Sequence, residues 1–236
     1  MNLPHDVQAP LYDRVYRADF GQFYQWLTDT TVQVVGELVP PGARIVEFGA
    51  GTGRMALPLA ALGYRVTAVE PSAPMLAVLR GAGARVTCVQ RSLQAYAGKA
   101  RFDLALCVFT VVIYLLDEAS LRAALRAAHD SLKPGGRLLI DVPPPALFHD
   151  RRVRRRDLQR SVRVRALGGG RYDYHERVRW LGEGGPAAYD DRFTIRCWRL
   201  PQVLAAADAA GFAFERELKR ELGASGSRYL LLQRPA

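Results

Sequence analysis

Residues 43–53, ARIVEFGAGTG, constrain this chain more than any other stretch: a short apolar run ends in an acid, and Gly49, Gly51 and Gly53 follow at every second position. Ile45, Val46 and Phe48 are β-branched or aromatic and too few for a helix, so the run predicts a buried strand. The glycines predict a tight turn in which the missing Cβ atoms let main chain come close to a ligand. Free amides at the start of a following helix, over residues 54–62, favour an anionic group there. Turns of this kind stand at the carboxyl ends of parallel strands, where open α/β sheets bind their ligands.

A second apolar strand over 65–71 ends in Glu70, about 20 residues past the glycines, the spacing at which a carboxylate accepts hydrogen bonds from ribose hydroxyls. A dinucleotide fingerprint requires Gly or Ala where this chain has Arg54. The pattern is instead acid-x-Gly-x-Gly-x-Gly from Glu47, and together with Glu70 it resembles the class I S-adenosylmethionine-dependent methyltransferases. That resemblance implies S-adenosylmethionine as cofactor and S-adenosylhomocysteine as product. Glu47 and the main chain of Gly49, Ala50, Gly51 and Gly53 then hold the amino-acid end, and Glu70, followed by Pro71, the ribose. In the family the turn after the third strand often carries an acid for the adenine; here it reads Arg91, Ser92 and Leu93, leaving the Ser92 hydroxyl and the Leu93 backbone for that contact. The competing reading is purely structural, with glycines serving a tight turn and Glu47 capping a helix. It leaves an acid at the end of a buried strand without a partner, which is costly.

Further strands are predicted over 85–90, 102–109 and 137–142, with helices between them, one capped by Ser72 and one by Asp117. The fold expected is α/β: a doubly wound, seven-stranded, mostly parallel sheet closed by an antiparallel hairpin over 212–219 and 228–233. Three alternating stretches, 161–167, 171–181 and 188–198, punctuated by glycines, predict an antiparallel β insertion after the fifth strand. The expected organisation is a helical arm or lid over 1–42, a cofactor-binding core over 43–146, a cap over 147–199 and completion of the core sheet over 200–236. Tyr16, on the arm, is placed over the cofactor if the arm is a lid. Residues 107–114, CVFTVVIY, resemble the segment after strand four in small-molecule methyltransferases, particularly N-methyltransferases of amino sugars and amino acids. This implies Cys107 and Phe109 against the cofactor and Tyr114 towards the acceptor.

The 236 residues carry a formal charge of +10, and 19 Lys and Arg against 11 Asp and Glu lie beyond residue 146. Eight arginines crowd residues 151–165. They read as a solvated face, as forks for an anionic small substrate, or as a docking surface for RNA or another polyanion. Cys88, Cys107 and Cys197 are odd in number and sit in apolar runs, so they suggest buried thiols in the cytoplasm rather than a disulfide or metal framework. No apolar run is long enough to span a membrane, and no metal is expected. The chain is expected to be a monomer or homodimer. Methyl transfer to nitrogen or oxygen is helped by a base, for which Tyr114, Asp141, His149 and His175 are candidates. The function expected is methyl transfer to a small molecule, more readily at nitrogen than at oxygen. RNA or protein methylation, and cofactor binding without turnover, remain as alternatives.

Overall fold

The structure, a computed structural model, describes residues 3–236. In chain order the strands are β1 (Arg44–Phe48), β2 (Arg65–Val69), β3 (Thr87–Val89), β4 (Phe102–Cys107), β5 (Leu132–Val142), β6 (Arg151–Arg154), β7 (Leu158–Gly168), β8 (Arg171–Trp180), β9 (Ala187–Arg196), β10 (Ala213–Glu217) and β11 (Arg228–Gln233). The α-helices are α1 (Tyr12–Phe20), α2 (Gln22–Leu38), α3 (Ala56–Ala61), α4 (Ala73–Gly81), α5 (Glu118–Ser131), α6 (Leu200–Ala209) and α7 (Lys219–Leu222). Seven strands form one sheet in the order β10-β11-β5-β4-β1-β2-β3, parallel except where β11 meets β5 and β10. This is the expected doubly wound sheet with its closing hairpin.

The parallel strands read as nearly unbroken apolar runs because both faces are covered. Ile45, Val66, Leu104, Leu106 and Leu139 face α2, α3 and α4, meeting Val34, Leu59 and Leu76. Val46, Phe48, Ala105, Leu138 and Ile140 point the other way, onto Leu121 and Leu125 of α5 and Val203 of α6. Both predicted N-caps form: the Met75 N–H donates to Ser72 Oγ at 3.1 Å and the Ser120 N–H to Asp117 Oδ1 at 2.7 Å.

Three local expectations change. The arm expected to be helical over 1–42 is broken at Gly21, whose φ of +55° and ψ of −131° are open to glycine alone, so α1 and α2 are separate helices behind a 3-10 turn over Asp6–Leu11. The strand expected over 137–142 begins earlier, at Leu132, because the end of the chain pairs with residues 135 and 136: Gly135 N–H donates to the Arg234 carbonyl and Arg234 N–H to the Gly136 carbonyl. The arginine run at 151–154 is itself a strand, β6, so the insertion is a four-stranded antiparallel sheet in the order β6-β7-β8-β9.

One face of this second sheet packs Val153, Leu158, Val178 and Trp180 against Val15 of α1. A buried ion cluster ties the same elements. Arg160 on β7 donates to Asp19 of α1 and to Glu176 of β8, and the side chains of all three are nearly inaccessible. Gln8 adds a hydrogen bond to the second Glu176 oxygen at 3.1 Å, joining the 3-10 turn to the cluster. Arg160 was one of the crowded arginines, but its partners are internal acids. Replacing it leaves buried Glu176 without a cation and Asp19 with Arg151 alone, so Arg160→Ala is expected to cost about 3–5 kcal/mol. Exposed Arg156→Ala should stay within about 0.5 kcal/mol. Urea unfolding of both variants measures the contrast.

Candidate active site

The turn after β1 is built as its glycines require. Gly49, Gly51 and Gly53 all have positive φ, at +68°, +54° and +95°. Packing alone forbids a side chain at two of them, since a Cβ on Gly49 would lie 2.5 Å from Val111 and one on Gly53 would lie 2.4 Å from Leu79. A Cβ on Gly51 would meet nothing within 4 Å, so it is the one bare position of the turn that opens onto free space. The amides differ from the expectation of a free anion cradle. Those of Gly49 and Ala50 donate to the Val69 carbonyl, that of Gly53 to Ala50, and that of Gly51 to Glu70 Oε2 at 3.0 Å. The helix also starts later, at Ala56, so the turn offers shape and a neighbouring carboxylate more than free N–H groups.

Glu70 lies just past β2. Its Oε1 accepts the Ser72 N–H at 2.9 Å, and burial raises its pKa against the two amide bonds that lower it. Glu47 at the end of β1 is buried deeper. Desolvation pushes its pKa up to about 8, and its Oε2 has no hydrogen-bond partner. Pro71 follows Glu70, and Ser92 and Leu93 open the short 3-10 turn after β3. Cys107 ends β4, buried, with its thiol pushed up by desolvation.

Beside the turn lies a cavity of about 250 Å³ whose walls come from α1, α2, the loops after β4 and β5, and β7 and β8. Phe109 and Thr110 form its floor with φ of +63° and +69°, a left-handed pair rare outside glycine. Asp141, at the end of β5, pins them by accepting the Thr110 N–H at 2.9 Å. Its other oxygen has no partner, and burial pushes its pKa up to about 6.

Arg54, which in the sequence serves only to argue against a dinucleotide site, joins turn and cavity. Its guanidinium lies between the Tyr24 and Phe109 rings, 3.7 and 3.8 Å from their centroids, and donates to Thr28 Oγ1 and the Tyr24 carbonyl. No carboxylate pairs with it among the described residues. Arg54 is thus a fixed cation directly after a glycine turn whose amides are internally satisfied.

Tyr16 and Tyr114 both line the cavity. Tyr16 stacks on Tyr12 with centroids 4.4 Å apart, and Tyr114 Oη is 2.7 Å from His5 Nε2. His5 carries no sequence signal and was missed. It sits at φ +69° with its N–H on Asp191, and burial lowers its pKa to about 3, so it is neutral. His149 lies at the cavity rim, exposed, near the Ala146 carbonyl. His175 is not brought there: strand alternation turns it to the outer face of the second sheet, 2.7 Å from Asp190, while its neighbour Glu176 faces inward.

Residues 45–136 match the methyltransferase domain family model. A putative methyltransferase of Geobacillus sp. strain WCH70 is 32% identical over 103 residues, 42% of either chain. A ubiquinone/menaquinone biosynthesis C-methyltransferase of Rubrivivax gelatinosus is 36% identical over 110 residues, 44% of this chain and 41% of that one. The match thus spans about two fifths of the length of these curated relatives. Solved structures match the whole fold at lower identity. Streptomyces venezuelae DesVI aligns over 100% of both chains with a TM-score of 0.79 and 23% identity. The Micromonospora echinaspora CalS10, an amino pentose methyltransferase solved with S-adenosylmethionine bound, aligns over 95% of this chain and 96% of its own, with a TM-score of 0.75 and 24% identity. The sugar N-methyltransferase KedS8 of a Streptoalloteichus species aligns over 95% and 93%, with a TM-score of 0.76 and 22% identity.

The raised pKa of Glu47 has a measurable sign. Between its ordinary value of 4.5 and about 8 the folded protein holds a proton that the unfolded chain has lost, so this group lowers stability as pH rises through that window. Glu47→Gln removes the effect. Its stability advantage over the unaltered protein should widen from about pH 5 to about pH 8.5 in thermal melts; a gap that does not change with pH contradicts the buried, protonated carboxyl.

Proposed function

We propose that this chain, whose residues 45–136 belong to the methyltransferase domain family and whose fold is that of the class I S-adenosylmethionine-dependent enzymes, transfers a methyl group to a small molecule held in the aromatic cavity. The observation that carries the reading is a glycine turn whose bare Gly51 stands beside the Glu70 carboxylate, followed directly by Arg54, which lines the cavity. The residues present fit the cofactor: an open main-chain position, a carboxylate beside it, and a buried Glu47 oxygen in need of a donor.

When bound, S-adenosylmethionine supplies a methyl group already activated by its sulfonium. The chain's task is then to bind, align and dry the site. Glu70 accepts from the ribose hydroxyls, with the main chain of Gly49, Ala50, Gly51 and Gly53 against the amino-acid end and Ser92 and Leu93 at the adenine edge. Glu47 takes the terminal ammonium, giving up its own proton as it does so, and Arg54 takes the carboxylate. Cys107 and Phe109 set the height of the turn between cofactor and acceptor, and Tyr16 closes it from above. Alignment of acceptor and methyl group is worth several kcal/mol without any nucleophilic side chain. Residues 43–146 with 200–236 act as the cofactor half; the arm over 1–42 and the insertion over 147–199 supply the acceptor walls. Tyr114, bonded to neutral His5, lines the cavity, and burial pushes its phenol pKa well up, so it keeps its proton and serves the acceptor as a hydrogen-bond partner rather than as a base.

Nitrogen is favoured over oxygen as the acceptor atom. Supporting this are the aromatic walls, whose faces attract amines, and the names of the sugar N-methyltransferase and amino pentose methyltransferase that share the fold. The inward turn of Arg151 and Arg160 onto Asp19 removes two arginines from any polyanion surface, which favours a small molecule over RNA.

Calorimetric titration tests the reading. S-adenosylhomocysteine is expected to bind and NAD not to, and Glu70→Ala should weaken the former by at least ~10-fold while the melting temperature stays close to that of the parent. Binding of NAD in place of S-adenosylhomocysteine overturns it.

A further inference from the structure

Among the described residues, the cavity taken as the acceptor site is lined by one carboxylate that keeps an oxygen without a hydrogen bond. Asp141 is 1% exposed at the end of β5, and its Oδ1 is used by the Thr110 N–H. Its Oδ2 is buried and has no hydrogen-bond partner, while the residue lines the cavity. The Ser227 hydroxyl is close enough to favour the ionised form but stands outside hydrogen-bonding geometry to it. None of the cavity's three arginines donates to Oδ2: Arg54 bonds Thr28 and Tyr24, and Arg151 and Arg160 bond Asp19 and Glu176. A buried carboxylate oxygen left this way is costly, and a folded protein keeps such a group where something else completes it.

We propose that Asp141 Oδ2 is the docking point for the ammonium of the methyl acceptor, so that the acceptor class is a small amine that binds protonated and passes one proton to Oδ2, freeing the nitrogen lone pair that takes the methyl group. The proposal rests on the cavity being the acceptor site. The surroundings suit that ligand twice. A charge-assisted hydrogen bond to Oδ2 satisfies the orphaned oxygen, and the rings of Tyr12, Tyr16, Tyr24, Phe109 and Tyr174 line the same space and offer apolar surface to the carbon frame of the amine. A neutral alcohol of the same shape gains the apolar contact but leaves the charge of Asp141 uncompensated. The residue therefore discriminates amine from alcohol by charge rather than by size. Its second task, pinning the left-handed Phe109–Thr110 turn through Oδ1, survives an Asn substitution, because the amide oxygen can still accept the Thr110 N–H.

The test uses cyclohexylammonium and cyclohexanol as matched probes, titrated calorimetrically at about pH 8, where the amine is protonated and Asp141 ionised. The parent protein, with and without S-adenosylhomocysteine, should bind the ammonium at least ~10-fold more tightly than the alcohol, and Asp141→Asn should bring the two within ~3-fold. Equal binding of both probes by the parent, or an amine preference that survives the substitution, overturns the proposal. Should the variant fail to fold, carbon-detected NMR titration of Asp141 in the parent decides: its pKa falls when cyclohexylammonium is added if the two meet, and an unchanged value overturns the idea. A protein that binds the amine but not S-adenosylhomocysteine separates failure of the methyltransferase reading from failure of this one.

Discussion

The turn after β1 must pass through three positive-φ residues to carry the chain from a buried strand into α3, and the rest of the site takes its position from that requirement. Gly49 is held bare by Val111 and Gly53 by Leu79, so two of the three are fixed by packing on either side. Only Gly51, between them, faces open space, and its amide reaches Glu70 at the end of the next strand. Backbone strain at the end of β4, in Phe109 and Thr110, meets this turn through Arg54, whose guanidinium is clamped on the Phe109 ring. Strand, turn and strained loop thus form one rigid wall, as a site that must align two reactants needs.

Charge is managed differently on the two sides of that wall. Between arm and insertion, buried charges are matched internally: Arg160 answers Asp19 and Glu176, and Gln8 completes the set. Such clusters contribute little net stability but fix which surfaces meet. Along the site itself the charges are left open. Glu47 and Asp141 each keep a buried oxygen without a partner and Arg54 lacks a carboxylate, so the folded chain holds desolvated groups that its own residues do not complete.

Much of the core sheet was legible because its signals are local. Gly49–Gly53 after an apolar run, Glu70 after the next, Ser72 and Asp117 as caps, and near-continuous apolar strands each report covalent geometry or burial on both faces. The insertion was legible as alternating strands, but β6 was not, since Arg151, Arg152 and Arg154 look like a solvated run and only pairing with β7 makes them a strand. The break at Gly21 is hidden in a sequence with helical spacing on both sides of it. At the site, Glu47 and Glu70 announce themselves by spacing. Arg54 and His5 do not, because their roles depend on groups far away in the chain, Tyr24 and Phe109 for the first and Tyr114 for the second; Asp141 is legible as a candidate base but not as the acceptor of the Thr110 N–H. His175 illustrates the limit from the other side, one residue from buried Glu176 yet on the opposite face.

A crystal structure grown with S-adenosylhomocysteine tests the central claim most directly. The account predicts the ribose hydroxyls on the Glu70 carboxylate, main chain of Gly51 in contact with the ligand, and the sulfur turned towards the cavity floored by Phe109 and Thr110. A ligand bound elsewhere, with Glu70 still holding only the Gly51 and Ser72 amides, would contradict it.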